Sequence, residues 1–518
     1  MNTTADLSAA LRRYWGYDAF RPLQEKIVRS LVGGHDTCVI MPTGGGKSLC
    51  YQLPAAMASA KTFIVISPLL ALMQDQVAQL GQMGIAAAFV NSTLAEREQS
   101  AVIQRAREGQ LRLLYLSPER LARPDTIEWL RRIPISHFVI DEAHCISEWG
   151  HEFRPEYRKL SGLRDHFPGC TIAAFTASAT RPVRHDIVEQ LRLRNPHKYI
   201  ASFYRPNLRY IVKECDSRAQ KELLVGVLRR DAGGSVIVYS PTIRRVDETV
   251  AFLEDEGIPA LPYHGKMDSA ARRSNQERWM SGEVRVLVGT VAFGLGINKA
   301  DVRAVIHLSL PKSVEQYYQE AGRAGRDGQP ADCLLLWQKR DVGLLTHFIQ
   351  QIADFREKDR AWQRYHVVRS FVDAPVCRHR QICQHFGEAV KWESCGACDA
   401  CGCGLQSLEL RSAQERPGRK TPPARHDSPA AAPRREGSGT EGAVAGESEL
   451  FDRLRQWRRD TAKEQGVPAF VVLHDTTLEA ICNKRPRSLG ELREVRGIGE
   501  VKAERYGRQI LEVVTGGD

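Results

Sequence analysis

Residues 41–48 read Met41-Pro42-Thr43-Gly44-Gly45-Gly46-Lys47-Ser48, set between an apolar run and a helix-prone segment. Three successive glycines let a backbone wrap closely round phosphate groups, with N–H bonds aimed inward at a helix N-terminus. In such a loop Gly44 and Gly46 supply the conformational freedom, Lys47 reaches the β- and γ-phosphates, and Ser48 holds Mg²⁺. The usual pattern has a glycine where this chain has Met41, so the loop taken alone also fits an ordinary glycine-rich turn. Its partner comes further along. The β-prone run His137-Phe138-Val139-Ile140 empties into Asp141-Glu142-Ala143-His144. An aspartate at the end of a buried strand binds Mg²⁺, usually through water, and a glutamate beside it polarises the attacking water. Together the two motifs predict an ATPase that uses ATP with Mg²⁺.

Composition agrees with a large enzyme. A chain of 518 residues has room for roughly three or four domains. Lys and Arg number 73 against 62 Asp and Glu, a net charge of +11 with a pI near 9.0. That balance suits a polyanionic partner, although proteins that bind nothing anionic also carry modest basic excesses. No run of ~20 apolar residues is present, so no membrane span is expected. The N-terminus Met1-Asn2-Thr3-Thr4-Ala5-Asp6 lacks the basic-then-apolar form of a signal peptide. Most of the 13 cysteines are scattered, which suits a reducing, cytoplasmic setting better than a disulfide framework.

The chain then falls into units. After a predicted amphipathic helix comes Tyr17-Asp18-Ala19-Phe20-Arg21-Pro22-Leu23-Gln24. A glutamine just upstream of a phosphate loop can read the edge of adenine, with Tyr17 stacked on the base and Arg21 holding the nucleotide; a packing element with polar surface residues fits as well. Thr62–Ile66 and Leu113–Leu116 are buried-strand runs, ending in Ser67-Pro68 and Ser117-Pro118, and Thr171–Phe175 leads into Thr176-Ala177-Ser178-Ala179-Thr180. Short apolar strands alternating with helical stretches predict an α/β fold with a parallel sheet, whose ligands gather at the carboxyl ends of strands. A second such unit contains Ser235–Ser240, Arg285–Thr290, Ala292–Asn298 and Val302–Leu308. It ends in Gln319-Glu320-Ala321-Gly322-Arg323-Ala324-Gly325-Arg326. Arg323 and Arg326 share a helix face at this spacing and fit arginine fingers reaching across from a second lobe; a solvated basic face fits the same pattern.

In this order the motifs resemble the superfamily-two helicases, and within them the RecQ family of DNA helicases, over roughly residues 7–403. Most specific is Cys145-Ile146-Ser147-Glu148-Trp149-Gly150-His151-Glu152-Phe153-Arg154-Pro155-Glu156-Tyr157, which is similar to that family's aromatic-rich loop coupling single-strand binding to hydrolysis. Trp149 and Phe153 offer flat faces for bases and Arg154 a charge for phosphate. The resemblance implies two RecA-like parallel-sheet lobes, 1–205 and 206–340, with ATP between them. It assigns adenine recognition to Tyr17, Arg21 and Gln24, metal binding and water activation to Asp141 and Glu142, and a link from that motif to the next to His144. Ser178 and Thr180 fall in the motif joining the ATP site to the DNA path, and Arg323 and Arg326 both match the last motif without a choice between them. Ser67, Tyr239, Thr242 and Thr290 fall in motifs that track the DNA backbone, contacts that position a strand without reading its sequence.

Beyond the lobes, Cys377 and the Cys395-Gly396-Ala397-Cys398-Asp399-Ala400-Cys401 run have the spacing of a tetrahedral structural Zn²⁺ site. The resemblance places a helical zinc-binding subdomain here, 341–404, with Cys383 and Cys403 as nearby extras. Residues 405–447 have the Pro-, Gly-, Ser- and Arg-rich composition of a disordered linker. Typical members of the family carry a winged helix at this point, and the stretch is too short for one. Residues 448–518 resemble the HRDC domain, a small all-α C-terminal bundle. Its Gly497-Ile498-Gly499 turn has the form of a backbone phosphate site, but the segment's 13 basic and 12 acidic residues make a weak electrostatic footprint. A DNA clamp and a protein-docking module both remain open.

The expected activity is ATP-dependent unwinding of duplex or branched DNA, with 3′→5′ movement on a single strand, in repair and recombination. Expected partners are single-stranded, tailed or branched DNA and DNA-repair or single-strand-binding proteins, with no membrane; in a bacterium the chain would associate with the nucleoid. Two rivals are an RNA-directed helicase and a DNA-stimulated translocase or remodelling protein that unwinds poorly without a partner.

Overall fold

The computed structural model describes residues 4–91, 94–150, 152–230, 233–291, 299–402, 441–467 and 469–516. Ala292–Asn298 and residues 405–440 of the stretch read as a linker lie outside them, as do His151 and Cys403.

Two parallel sheets organise the motor. The first takes strands β1 (Thr37–Ile40), β2 (Thr62–Ile66), β3 (Ala87–Val90), β4 (Leu113–Leu116), β5 (Ile135–Ile140), β6 (Thr171–Thr176) and β7 (His197–Ile200), in the order β3-β4-β2-β5-β6-β1-β7. Helices cover both faces, so the central strands are buried throughout and read as continuous apolar runs rather than as alternation. Because β6 lies between β1 and β5, Ile40 pairs with Thr176, and Ile140 with Ala174. The phosphate loop, the Thr176–Thr180 turn and the Asp141 turn therefore leave the sheet side by side at its carboxyl edge.

The second sheet takes β8 (Leu208–Glu214), β9 (Ser235–Tyr239), β10 (Ala260–Tyr263), β11 (Val286–Gly289), β12 (Val302–His307) and β13 (Ala331–Trp337), in the order β10-β11-β9-β12-β13-β8. An exposed parallel edge at β8 would leave backbone groups unpaired. The cysteine-bearing segment covers it: Cys398 bridges Tyr210, and Val212 N–H donates to the Asp399 carboxylate at 3.3 Å.

The C-terminal helices Glu441–Glu464, Ala469–Val472, Asp475–Lys484, Leu489–Arg493 and Glu500–Thr515 enclose their own core of Leu454, Leu478, Ile481, Leu492, Ile498 and Ile510. The first of these helices begins inside the stretch read as a linker. The bundle is seated on both lobes. Tyr506 and Gln465 form a hydrogen-bonded group with Gln82 of the first lobe. Asp475 receives Arg458 at 2.7 Å and Lys299 of the second lobe at 3.4 Å. Among the described residues no helix is long and apolar enough to cross a membrane.

Candidate active site and nucleic-acid face

The phosphate loop turns through positive φ at Gly44 (83°) and Gly46 (80°), a region that costs side-chain-bearing residues strain. Lys47 opens the helix Lys47–Met57 and donates to Met41 O at 3.1 Å. Burial lowers its amine, and the Glu142 and Asp141 carboxylates oppose that shift. Asp141 is buried at the end of β5, with Glu142 in the left-handed region at φ 46°. Burial, and then the Glu142 charge, push the Asp141 carboxyl up to about 7. A carboxylate so placed beside Lys47 and the loop suits a divalent cation, whose charge would offset that penalty. Burial also works against charge on Glu142, but His144 outweighs it and holds that carboxyl low.

His144 Nδ1 lies 2.9 Å from Thr176 Oγ1 of the next motif and 3.3 Å from Glu142 Oε2. Two residues on, Ser178 Oγ accepts from Gln319 Nε2 of the second lobe at 2.7 Å. Gln24 is buried, and its amide nitrogen donates to Gly45 O and Gly46 O, both at 3.2 Å, while Arg21 donates to Gly44 O. Both side chains brace the phosphate loop in this structure. Tyr17 has the Arg496 guanidinium of the C-terminal bundle 5.9 Å from its ring centre.

The second lobe brings its arginines to the same place. A Cβ on Gly44 would stand 3.2 Å from Arg326 Cγ, and one on Gly322 would stand 3.6 Å from Thr43 Cβ. Burial, together with the charges of Arg323 and Arg205, lowers Arg326 to about 9. Three guanidiniums crowded against a glycine loop make a cradle for concentrated negative charge. Arg205 is one that sequence reasoning missed. It lies in the link between β7 and β8, and nothing in its local pattern distinguishes it from a surface arginine.

The aromatic loop divides by role. Trp149 is 57% exposed, the one large aromatic of the loop that faces solvent. Phe153 is half-buried with Arg158 over its ring, and Arg154 donates to Pro68 O at 3.4 Å, next to Ser67. Tyr157 is fully buried and its hydroxyl donates to Asp141 O at 3.0 Å, so the loop is anchored to the Asp141 strand end. Sequence reasoning quoted Tyr157 without giving it this role. Among the backbone-tracking residues, Thr242 caps the helix Ile243–Asp255 through Arg245 N–H, and Thr290 follows the adjacent strand β11. Ser67 and Tyr239 are both buried, Tyr239 at 3% exposure with its ring stacked on His307 at 5.0 Å. In this conformation neither offers a surface to a strand.

The Sγ atoms of Cys377, Cys395, Cys398 and Cys401 all lie within 4.8 Å of one another, with Cys377–Cys398 at 3.9 Å and Cys395–Cys401 at 4.0 Å. A regular tetrahedron of Zn–S bonds has edges of about 3.8 Å, so the four thiols fit Zn²⁺. Arg378 N–H points at Cys398 Sγ and Ala397 N–H at Cys395 Sγ, which suits thiolates. Cys383 is buried elsewhere in the helix Arg378–His385 and takes no part.

Comparison with known proteins agrees with this division. Residues 21–186 match the family described as DEAD/DEAH box helicase, and 219–328 the helicase conserved C-terminal domain. Residues 339–402 match the RecQ zinc-binding family and 447–514 the HRDC domain. The ATP-dependent DNA helicase RecQ of Haemophilus influenzae is 32% identical over 592 aligned positions, covering 98% of this chain and 95% of that protein. The chain belongs to the RecQ family. The RecQ protein of Bacillus subtilis is 34% identical, with 97% of each chain covered. Among solved structures, the DEAD-box helicase Mss116 bound to single-stranded RNA superposes with a TM-score of 0.53 at 16% identity, covering 67% of this chain and 77% of that one. The helicase MrfA bound to DNA gives 0.53 at 19%, covering 64% and 51%. At such identities they speak for the RecQ motor's fold alone.

Proposed function

We propose that this RecQ-family chain is an ATP-dependent DNA helicase that moves 3′→5′ along one strand and separates duplex or branched DNA in repair and recombination, inside the cytoplasm. The observation that carries the reading is the meeting of Arg326 with the Gly44 turn, which supports a nucleotide held between the lobes. Lys47 and the loop N–H groups bind the β- and γ-phosphates, and Ser48 and Asp141 are the residues to hold Mg²⁺, which would neutralise phosphate charge. Glu142, kept ionised by His144, orients the attacking water. Arg323 and Arg326 stabilise charge on the transferring phosphoryl group, Tyr17 stacks on the base, and Arg21 and Gln24 change partners from loop to adenine on binding. Cysteines 377, 395, 398 and 401 hold a structural zinc with no open position. Trp149, Phe153 and Arg154 engage a single strand, with Ser67, Tyr239, Thr242 and Thr290 along the same path once the lobes rearrange.

A DNA-stimulated translocase that needs a partner to unwind is a second reading. It is favoured by the alignment with the H. influenzae protein, which runs to 592 positions against 518 residues here, so that the relative carries sequence this chain lacks. Unwinding of a 3′-tailed duplex, beside ATPase stimulated by DNA or by RNA, separates the readings. The helicase reading expects strand separation and stimulation by DNA. Hydrolysis without separation favours the second, and stronger stimulation by RNA overturns both.

A further inference from the structure

The Arg205 side chain makes contacts on both sides of the cleft. Its Nη1 donates to Thr43 O of the phosphate loop at 2.9 Å. Its Nη2 donates to Ala324 O at 3.3 Å and Gly325 O at 3.1 Å, the two residues between Arg323 and Arg326. A planar guanidinium with several donors in a fixed fork suits a rigid bridge of this kind. Asn207, two residues on, reinforces one end by donating to Gly325 O at 2.8 Å.

The segment carrying Arg205 is itself held by the cysteine-bearing subdomain. His379 Nε2 donates to Arg205 O at 3.0 Å, while its Nδ1 lies 3.2 Å from Cys395 Sγ. Tyr204 and Tyr210 pack edge-on against the same imidazole, at 5.0 and 4.8 Å. The Glu388 carboxylate accepts from Ser202 Oγ at 2.6 Å and Phe203 N–H at 2.7 Å, and Phe386 stacks on Phe203 at 4.3 Å. Residues 202–205 form the link between the lobes, so the subdomain bolts that link along its length.

Resting on the ATP-site reading above, we infer that Arg205 is a positioning residue for hydrolysis, setting the arginine pair against the phosphate loop, and that His379 transmits the zinc subdomain's rigidity to it. A zinc site that is structural in itself thereby controls the catalytic geometry of a cleft it does not line. An arginine displaced by about 1 Å costs on the order of a hundredfold in rate, so the link acts on turnover more than on nucleotide binding. Binding depends on Lys47 and the loop, which remain.

The test uses the full chain: wild type, Lys47→Ala, Arg205→Ala, Arg205→Lys, His379→Ala and the Arg205→Ala/His379→Ala double. It reads kcat and KM for ATP at saturating single-stranded DNA, with kcat counted per nucleotide-binding molecule, and zinc content per chain. Arg205→Ala is expected to lower kcat by roughly 10–100-fold with KM moving less than about threefold, and Arg205→Lys to recover part of the loss. His379→Ala is expected to keep its zinc, lower kcat by about three- to tenfold, and add little in the Arg205→Ala background. Should Arg205→Ala not fold, Arg205→Lys carries the same comparison. A change in KM alone, unchanged kcat, multiplicative losses in the double variant, or loss of zinc from His379→Ala would each overturn the inference. Full hydrolysis by Lys47→Ala would instead overturn the ATP-site reading beneath it.

Discussion

Two glycine turns in this chain lead into helices and have opposite fates. Gly44-Gly45-Gly46 and Gly497-Ile498-Gly499 both precede helices, with the capping glycine left-handed at Gly46 and extended at Gly499. At Gly46 and Gly44 of the first, the space where side chains would stand holds the Gln24 amide and the aliphatic stem of Arg326, side chains that can move, while Gly45 faces Pro42 O at 3.0 Å. At the second, a Cβ on Gly497 would collide with the Thr477 hydroxyl, but Gly499 and its partner face fixed backbone: a Cβ on Gly499 would meet Arg13 O at 2.6 Å and Tyr14 O at 2.8 Å, and one on Gly16 would meet Ile498 C and O at 2.6 Å. Ile498 is plugged into the bundle core, and Gly497 N–H donates to Gly16 O at 3.3 Å. The first turn keeps the surroundings of a phosphate site, and the second serves as a joint. What separates them is whether the closest neighbours are mainly side chains that can move aside for a ligand or backbone that cannot.

That contrast can be broken experimentally. Lys47→Ala should abolish DNA-stimulated hydrolysis, a loss of roughly a hundredfold or more in kcat/KM, because the amine facing Asp141 and Glu142 is irreplaceable there. Gly46→Val should come next: the branched side chain is strained at φ 80° and collides with Gln24 2.3 Å from its Cβ position, so nucleotide affinity should fall about tenfold or more in a binding titration. Gly16→Val carries an equally severe clash at the other turn. It should release the bundle, seen as faster limited proteolysis between bundle and motor, and shift KM for ATP through the neighbouring Tyr17, yet leave kcat within about threefold, since no group that acts on the phosphates is touched. A loss of hydrolysis as large as that of Gly46→Val would show that the second turn is more than a joint. Arg496→Ala should be smallest. Losing a cation–π contact of about 0.5–1 kcal/mol on Tyr17 should shift KM for ATP by less than about fivefold, in either direction, with kcat unchanged.

Much of the first turn's role was legible because its partners announce themselves by local rules. A buried strand must end somewhere, and polar residues placed right after it, as Asp141-Glu142 are after Ile140, stand at the carboxyl edge of the sheet. Cysteine spacing speaks for itself in the same way, since thiols two residues apart can share one ion. Gln24 was harder. Its position upstream of the loop suggested a base reader, whereas its present hydrogen bonds are to the loop it precedes. The resemblance put Tyr239 and Ser67 in motifs that track the DNA backbone, and both are buried here, because a motif's position along the chain says nothing about what packs over it.

The amino-acid sequence by itself determined the two parallel sheets, the order of the motifs along them and the four-cysteine cluster. All of these depend on side-chain periodicity, turn chemistry or spacing over a few residues, which act within a short length of chain. Only the tertiary structure decided that Arg326 meets Gly44, that Tyr157 holds the Asp141 strand end, that Arg205 spans the cleft under His379, and that the Gly497 turn faces inward. Each of these joins segments far apart in sequence, and such pairings follow from how whole surfaces pack, which no local pattern encodes.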